Sequence, residues 1–103
     1  MNSIIPGDDK HKCYVCGSYD NIQEHHIFEG SSRAMSESYG LKVHLCLDHH
    51  TGYNGVHTTR GNELRVTLHK IGQTEFEDAR IAEGMTEEEA RKEFISKFIR
   101  SYL

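Results

Sequence analysis

Two pairs of metal-ligand side chains, each with two residues between its members, most constrain how this chain can fold. Cys13 and Cys16 form the first pair, and Cys46 and His49 form the second. This spacing lets both side chains of a tight turn point at one ion, and three thiolates with one imidazole are a common zinc-binding set. Residues 17–45 are enough for a hairpin that brings the pairs together. The sequence therefore predicts a structural zinc ion held by these four residues.

Other interpretations of the cysteines have weaker support. The chain has 3 cysteines, an odd number that argues against a closed set of disulfides. A redox role for Cys13 and Cys16 is disfavoured, because no thioredoxin-like βαβ pattern follows them. Buried thiols beside ordinary surface histidines are the remaining alternative, although two such pairs rarely coincide by chance.

Length and composition indicate one domain with a modest core. The chain has 103 residues, of which 36% are hydrophobic, and it has no Trp. No apolar run could span a bilayer and no signal peptide is visible, so we expect a cytoplasmic protein without a membrane partner. The formal net charge of -4 weakens a nucleic-acid-binding interpretation. That charge counts all 8 histidines as neutral and includes no bound metal, so it does not exclude the interpretation.

The chain divides into three stretches. We expect residues 1–12 to form a flexible tail, residues 13–60 to form the core that carries the metal ligands, and residues 61–103 to be helical. Alternation of apolar and polar residues predicts short strands at 22–28 and 41–45, with a loop or short helix at 30–40 between them. The pattern places residues 13–103 in a single domain.

Helical patterns dominate the second half. A helix over 47–57 is compatible with the sequence, although Gly52 and Gly55 disfavour it. Leu64, Leu68 and Ile71 recur at helical spacing and predict a helix near 62–82, which Gly84 ends. Thr86 and Glu89 form a capping box that begins a last helix. Its apolar face comprises Phe94, Ile95, Phe98, Ile99 and Tyr102.

Four further histidines indicate a second metal site. If 47–57 is helical, His50 and His57 share one face with Asn54 nearby, and His49 points about 100° away from His50. Adjacent strand residues face opposite ways, so His25 and His26 can act on one phosphate only if the strand bends or ends there. We expect His25, His50 and His57 around a divalent ion, with His26 beside it, and histidine has a pKa suited to a general base near neutral pH. The alternative is that these are ordinary surface or core histidines, which we expect of His11, His44 and His69.

The combined motifs resemble those of HNH nucleases, whose fold is called ββα-metal, and in particular small phage-borne members. The resemblance covers residues 13–57 and rests on the first cysteine pair, on Glu24-His25-His26-Ile27, on the run from Val43 to His50, and on His57. It implies an α+β fold with a ββα-metal core, a structural zinc knuckle pair and C-terminal helices. It also implies that His26 activates water, and that His25, His50 and His57 ligate the catalytic ion.

The sequence departs from the family pattern in two places. His49 stands where the commoner form has Cys, an exchange that zinc accepts. The family's central Asn, which helps hold the general base, is replaced by the stretch Gly40-Leu41-Lys42. Asn54 is a possible substitute for it.

Two function classes remain open from the sequence. The first is a DNA endonuclease with structural Zn²⁺ and one catalytic divalent cation (Zn, Ni, Mn, Co or Mg). It would bind DNA with little sequence specificity, and Arg33, Lys42 and Arg60 are the candidate phosphate contacts. The alternative is that each of the three is an ordinary solvated residue. The second is a catalytically weak or inactive zinc-stabilised module that binds nucleic acid or protein. In either class, the apolar face of the last helix could pair two copies into a homodimer.

Overall fold

The structure, a computed structural model, describes all 103 residues as a small α+β protein with a two-stranded antiparallel sheet and four α-helices. Strands β1 and β2 span Gln23–His26 and Lys42–Leu45, and a 3-10 turn spans Gly30–Ser32. The helices are α1 (Arg33–Ser38), α2 (Leu47–His50), α3 (Asn62–Ala82) and α4 (Glu87–Phe98). None of the helices is long and apolar enough to cross a membrane.

The sheet places the histidine doublet at its end. In the antiparallel register His25 lies opposite Val43, and His26 lies opposite Lys42. Beyond His26 the chain bends away, because the backbone N–H of Phe28 donates to Ser36 Oγ in α1 (3.2 Å) and not to a strand partner. Both strands are therefore shorter than predicted, and His25 and His26 stand where β1 stops, as the second-site hypothesis requires.

Helix α2 ends at His50, so the possible helix over 47–57 is wrong. Glycines allow the chain to fold back there: a Cβ at Gly55 would lie 2.5 Å from the carbonyl oxygen of His50, and one at Gly61 would lie 1.9 Å from that of Gly55. The backbone N–H of Val56 donates to His49 (3.0 Å) and fixes this return. His57 therefore reaches His50 through a turn and not along a helix face.

Helices α3 and α4 pack against the chain that follows β1. Phe28 contacts the rings of Phe94 and Phe98, whose centroids lie 5.4 and 4.8 Å away, and Phe76 lies against both. The bounds of α3 agree with the predicted 62–82 helix. The predicted capping box begins α4, since Glu89 N–H donates to Thr86 Oγ1 (3.1 Å) and Thr86 N–H to Glu89 Oε1 (2.9 Å).

The predicted apolar face of the last helix has two parts. Phe94 and Phe98 are buried in the core of this chain, at 0% and 2% exposure. Ile95 and Ile99 are exposed at 38% and 72%. α4 ends at Phe98, so Ile99, its C-cap residue, and Tyr102 lie beyond the helix, and the predicted helical face is wrong for these two residues. A partner would meet Ile95 on the helix and Ile99 just past its end, because the phenylalanines are already packed.

The first twelve residues, for which we expected a loose tail, contact the sheet. Ile5 is buried, and the N–H of Ile4 donates to the carbonyl oxygen of Gly40 (2.9 Å). Asp8 accepts from the backbone N–H of His44 and pairs with its Nδ1, both at 2.7 Å. These contacts cover the outer edge of β2.

Candidate functional site

The structure brings the four residues predicted to bind zinc, which we call the knuckle, into one cluster that could bind a metal ion. The ligand atoms of Cys13, Cys16, Cys46 and His49 all lie within 4.8 Å of one another. The first two lie in the turn before β1, and Cys46 directly precedes α2, which carries His49. Because β2 ends at Leu45, the cluster ties the N-terminal turn to the end of the sheet.

The distances fit a tetrahedral ion. With metal–sulfur bonds of about 2.3 Å and metal–nitrogen bonds of about 2.0 Å, a tetrahedron separates two sulfurs by about 3.8 Å and a sulfur from a nitrogen by about 3.5 Å. Cys16 Sγ lies 3.8 Å from Cys46 Sγ. His49 Nδ1 lies 3.8 Å from Cys13 Sγ and 3.2 Å from Cys46 Sγ.

The thiols also have the electrostatics of a cation site. Burial raises the pKa of the Cys46 thiol, and the neighbouring thiols of Cys13 and Cys16 raise it further, against a backbone hydrogen bond at His49. Burial also raises the pKa of Cys13, but backbone hydrogen bonds at Cys46, Cys16 and Val15 outweigh it and bring the value to about 7. Crowded thiolates repel one another, and a divalent cation would relieve that repulsion.

A second cluster contains three of the remaining histidines. His25, at the end of β1, meets His50 from the end of α2 and His57 from the following turn, with ligand atoms within 4.8 Å of one another. The ring centroids are 5.3 Å apart for His25–His50, 5.3 Å for His25–His57 and 5.0 Å for His50–His57. Three imidazoles in tetrahedral directions around an ion at about 2.0 Å have centroids about 5.2 Å apart. The three rings therefore fit a site with one open position.

Two residues that the sequence did not single out support this cluster. Gln23 Oε1 lies 2.6 Å from His50 Nδ1, which leaves Nε2 of that ring free to bind an ion. Such partners orient metal-binding histidines. Glu29 lies between two of the rings, 3.6 Å from His25 Nε2 and 3.5 Å from His57 Nδ1. Gln23 precedes His25 by two residues, which on a strand places both side chains on the same face.

The pKa values of two of these rings favour the neutral form. Burial lowers the pKa of His25 to about 3, and the proximity of His50 and His57 adds to the effect. Burial, followed by the charge of His57, also lowers the pKa of His50. Neutral imidazole is the form that binds metals. These two rings therefore need no deprotonation at neutral pH.

His26 opens onto the same cavity as the three-histidine cluster. That cavity has a volume of about 260 Å³ and is lined by Glu24, His25, His26, Glu29, Arg33, His50 and His57. His26 is itself 7% exposed. Arg33, at the start of α1, is the only Lys or Arg among the lining residues. The cavity thus combines a possible ion site, a candidate base and one cationic group.

Two carboxylates lie near one ring nitrogen of His26. Its Nε2 lies 2.8 Å from Glu37 Oε1 and 3.7 Å from Glu24 Oε1. The ligand atoms of Glu24, His26 and Glu37 are close enough to be considered as a third metal site. The ammonium of Lys42, however, already bridges the two carboxylates, at 3.2 Å from Glu24 and 3.0 Å from Glu37. We therefore assign this group as an ion-pair network and not as a metal site.

Two of the three accessory residues proposed from the sequence lie outside the cavity. Asn54 donates to Asp48, from its backbone N–H (3.3 Å) and its Nδ2 (3.0 Å), and makes no hydrogen bond to His26. The guanidinium of Arg60 stacks on the ring of Tyr53 at 4.1 Å and does not line the cavity. Of the predicted accessory set, only Arg33 is part of the cavity wall.

The histidines assigned to structure have structural contacts. His69 stacks on Phe28 with the ring centroids 5.4 Å apart and lies 4.5 Å from the ring of Tyr102. His44 pairs with Asp8. Neither belongs to the three-histidine cluster.

Comparison of the chain with protein-family models, with curated proteins and with solved structures finds no match.

Proposed function

We propose that this chain is a metal-dependent DNA endonuclease that hydrolyses phosphodiester bonds. His26 acts as the general base, and His25, His50 and His57 bind one divalent ion. One observation carries the proposal: His26 shares a small cavity with a three-histidine cluster whose geometry suits an ion with an open position. Cys13, Cys16, Cys46 and His49 bind a structural zinc ion in this proposal.

The resemblance to HNH nucleases supports the same assignment. A ββα-metal site needs two antiparallel strands followed by a helix, and β1, β2 and α2 occur in that order, with the 3-10 turn and α1 between the two strands. The histidine doublet lies at the end of β1, and His50 lies at the end of α2. The likeness is one of motif order and local geometry.

Two residues of the chain and one ion account for the chemistry in this proposal. His26 accepts a proton from the attacking water through the ring nitrogen that does not face Glu37. Arg33 donates to a non-bridging phosphate oxygen. His25, His50 and His57 would hold the divalent ion, which would stabilise the phosphate and the leaving oxygen as a Lewis acid. The three-histidine set favours Zn, Ni, Mn or Co over Mg, which prefers oxygen ligands.

Nicking of supercoiled plasmid tests the proposal. Wild-type protein should nick in at least one of Mg, Mn, Ni, Co or Zn, and His26→Ala should lower the rate on the order of 10²- to 10⁴-fold, the usual contribution of a general base. Zinc content and a cooperative melting transition should be retained, because His26 is not one of the four residues proposed to bind the structural zinc ion. His44→Ala, which alters another histidine of the sheet, is the matched control. Equal nicking by wild type and His26→Ala would reject the assigned base.

Metal stoichiometry tests the ligand set separately. His50→Ala should retain the knuckle zinc and lose the second ion, as measured by elemental analysis after dialysis against a limiting metal buffer. An unchanged number of bound ions in His50→Ala would show that the three-histidine set is wrong, whatever the activity of the protein.

A second candidate function is a zinc-stabilised binding module that does not cut DNA. The observation that favours it is the acidity of the cavity, whose wall carries Glu24 and Glu29, in a chain of net charge -4. Carboxylates repel phosphate unless a cation neutralises them. DNA binding that does not depend on the second ion, together with no nicking in any metal, would favour this function.

A further inference from the structure

We propose that Glu37 is the residue that positions His26, by accepting a hydrogen bond from its Nε2–H. This inference rests on the proposed function for its catalytic meaning. The contact that carries it is the 2.8 Å separation between His26 Nε2 and Glu37 Oε1. The other nearby carboxylate, Glu24, is 3.7 Å away and beyond hydrogen-bond distance.

The contact determines which nitrogen of His26 can act as a base. An ionised carboxylate only accepts hydrogen bonds, so Nε2 must carry the proton in the pair. In a neutral ring the other nitrogen, Nδ1, then has the free lone pair. In many enzymes a catalytic histidine is oriented in this way, by a hydrogen bond from one ring nitrogen to a neighbouring acceptor while the other nitrogen acts as the base.

Glu37 is itself held in place. Lys42 Nζ donates to both of its carboxylate oxygens at 3.0 Å. Lys42 lies opposite His26 in the sheet register, so one strand pair fixes both the base and the cation that anchors its partner. Hydrogen bonds from the amino group of Met1, from His26 and from Lys42 hold the pKa of Glu37 well below its usual range. Glu37 therefore stays an acceptor at neutral pH.

The sequence could not have indicated this residue. Glu37 follows His26 by eleven positions, but a bend and a 3-10 turn separate β1 from the short helix α1, so no continuous strand or helix relates the two residues. The bend after Phe28 and the bonding of Ser36 to the backbone at Phe28 and Leu41 bring α1 back to the end of β1. Asn54, the substitute considered from the sequence, is bonded to Asp48.

The experiment measures the tautomer of His26 and the kinetics of Glu37 variants. Long-range ¹H–¹⁵N correlation spectra of zinc-loaded wild-type protein should show His26 with Nε2 protonated and Nδ1 unprotonated. The signals are assigned by their loss in His26→Ala. In Glu37→Ala the two tautomers should mix. Spectra of wild-type protein with the proton on Nδ1 would overturn the proposal without any need for a variant to fold.

Kinetics give the second readout. Glu37→Ala should lower kcat for plasmid nicking on the order of 10²-fold with little change in KM, because the base is misplaced and substrate contacts remain. Glu37→Gln should recover at least tenfold of that loss, since its amide oxygen still accepts from Nε2–H. Ser38→Ala, on the exposed side of the same helix, is the control for damage to α1. A wild-type kcat in Glu37→Ala would overturn the proposal.

The outcomes separate this inference from the proposed function. If wild-type protein does not nick DNA in any metal, the nuclease proposal fails, while the spectra still decide whether Glu37 fixes the ring. If wild type nicks and His26→Ala does not, but Glu37→Ala nicks normally, only the positioning role fails.

Discussion

Replacement of Cys46 by Ser should unfold the region around the sheet. Only 24 of 103 residues are buried, and Cys13 and Cys46 belong to the hydrophobic core cluster themselves. A domain of this length has an unfolding free energy of about 5–15 kcal/mol, and so thin a core favours the lower end. A structural zinc ion contributes about 10–16 kcal/mol. Loss of the proposed zinc ion would therefore remove as much free energy as the whole fold provides.

Cys46→Ser is the most informative single replacement among the four proposed zinc ligands. The Cys46 thiol lies next to Cys16 Sγ and His49 Nδ1. Cys46 also directly follows β2, so loss of the proposed ion would remove a restraint on the end of that strand. The hydroxyl has nearly the same size as the thiol but is a poor zinc ligand. Zinc content by elemental analysis and thermal melts by circular dichroism, with and without a chelator, measure the effect.

The expected result has two parts. Cys46→Ser should contain less than one zinc per chain in the knuckle and should show no cooperative melting transition. Val15→Ser changes the exposed residue between Cys13 and Cys16 and should keep both the zinc and the transition. A zinc-free Cys46→Ser protein that melts cooperatively at the wild-type temperature would refute the reasoning.

Two further predictions concern a buried histidine and the core. This prediction applies to protein whose three-histidine cluster holds no ion. The pKa of His25 is about 3 in the folded chain, against an ordinary value of 6.5. Between these two pH values the unfolded chain therefore binds a proton that the folded chain does not. The stability of wild type relative to His25→Leu should therefore fall by about 1 kcal/mol from pH 6.5 to 5.5, measured by urea unfolding, and a pH-independent difference would contradict the shift. Phe94→Ala removes a fully buried ring and should lower the free energy of unfolding by about 3–5 kcal/mol in the same assay. Ile95→Ala, on the exposed face of α4, should lower it much less. Similar losses for the two variants would show that α4 packs differently.

The sequence by itself determined the features that depend on local spacing. The two-residue spacing within the cysteine and histidine pairs indicated the four-residue cluster, and the capping box at Thr86 and Glu89 indicated where α4 begins. Apolar periodicity placed α3 correctly, because an amphipathic helix of 21 residues has a strong 3.6-residue pattern. The grouping of His25 with His50 and His57 also followed from the sequence, although the helical reason given for His57 was wrong.

Tertiary structure decided everything that depends on where the chain turns. His57 joins the cluster because glycines let the backbone fold back over α2, a path with no sequence period. Glu37 reaches His26 because hydrogen bonds of the Ser36 side chain fold α1 onto the end of β1. Spacing along the chain determines which side chains share a face of one element. Contacts between elements depend instead on close approach and on backbone hydrogen bonds made across the fold, which the linear order of residues does not encode in any short pattern.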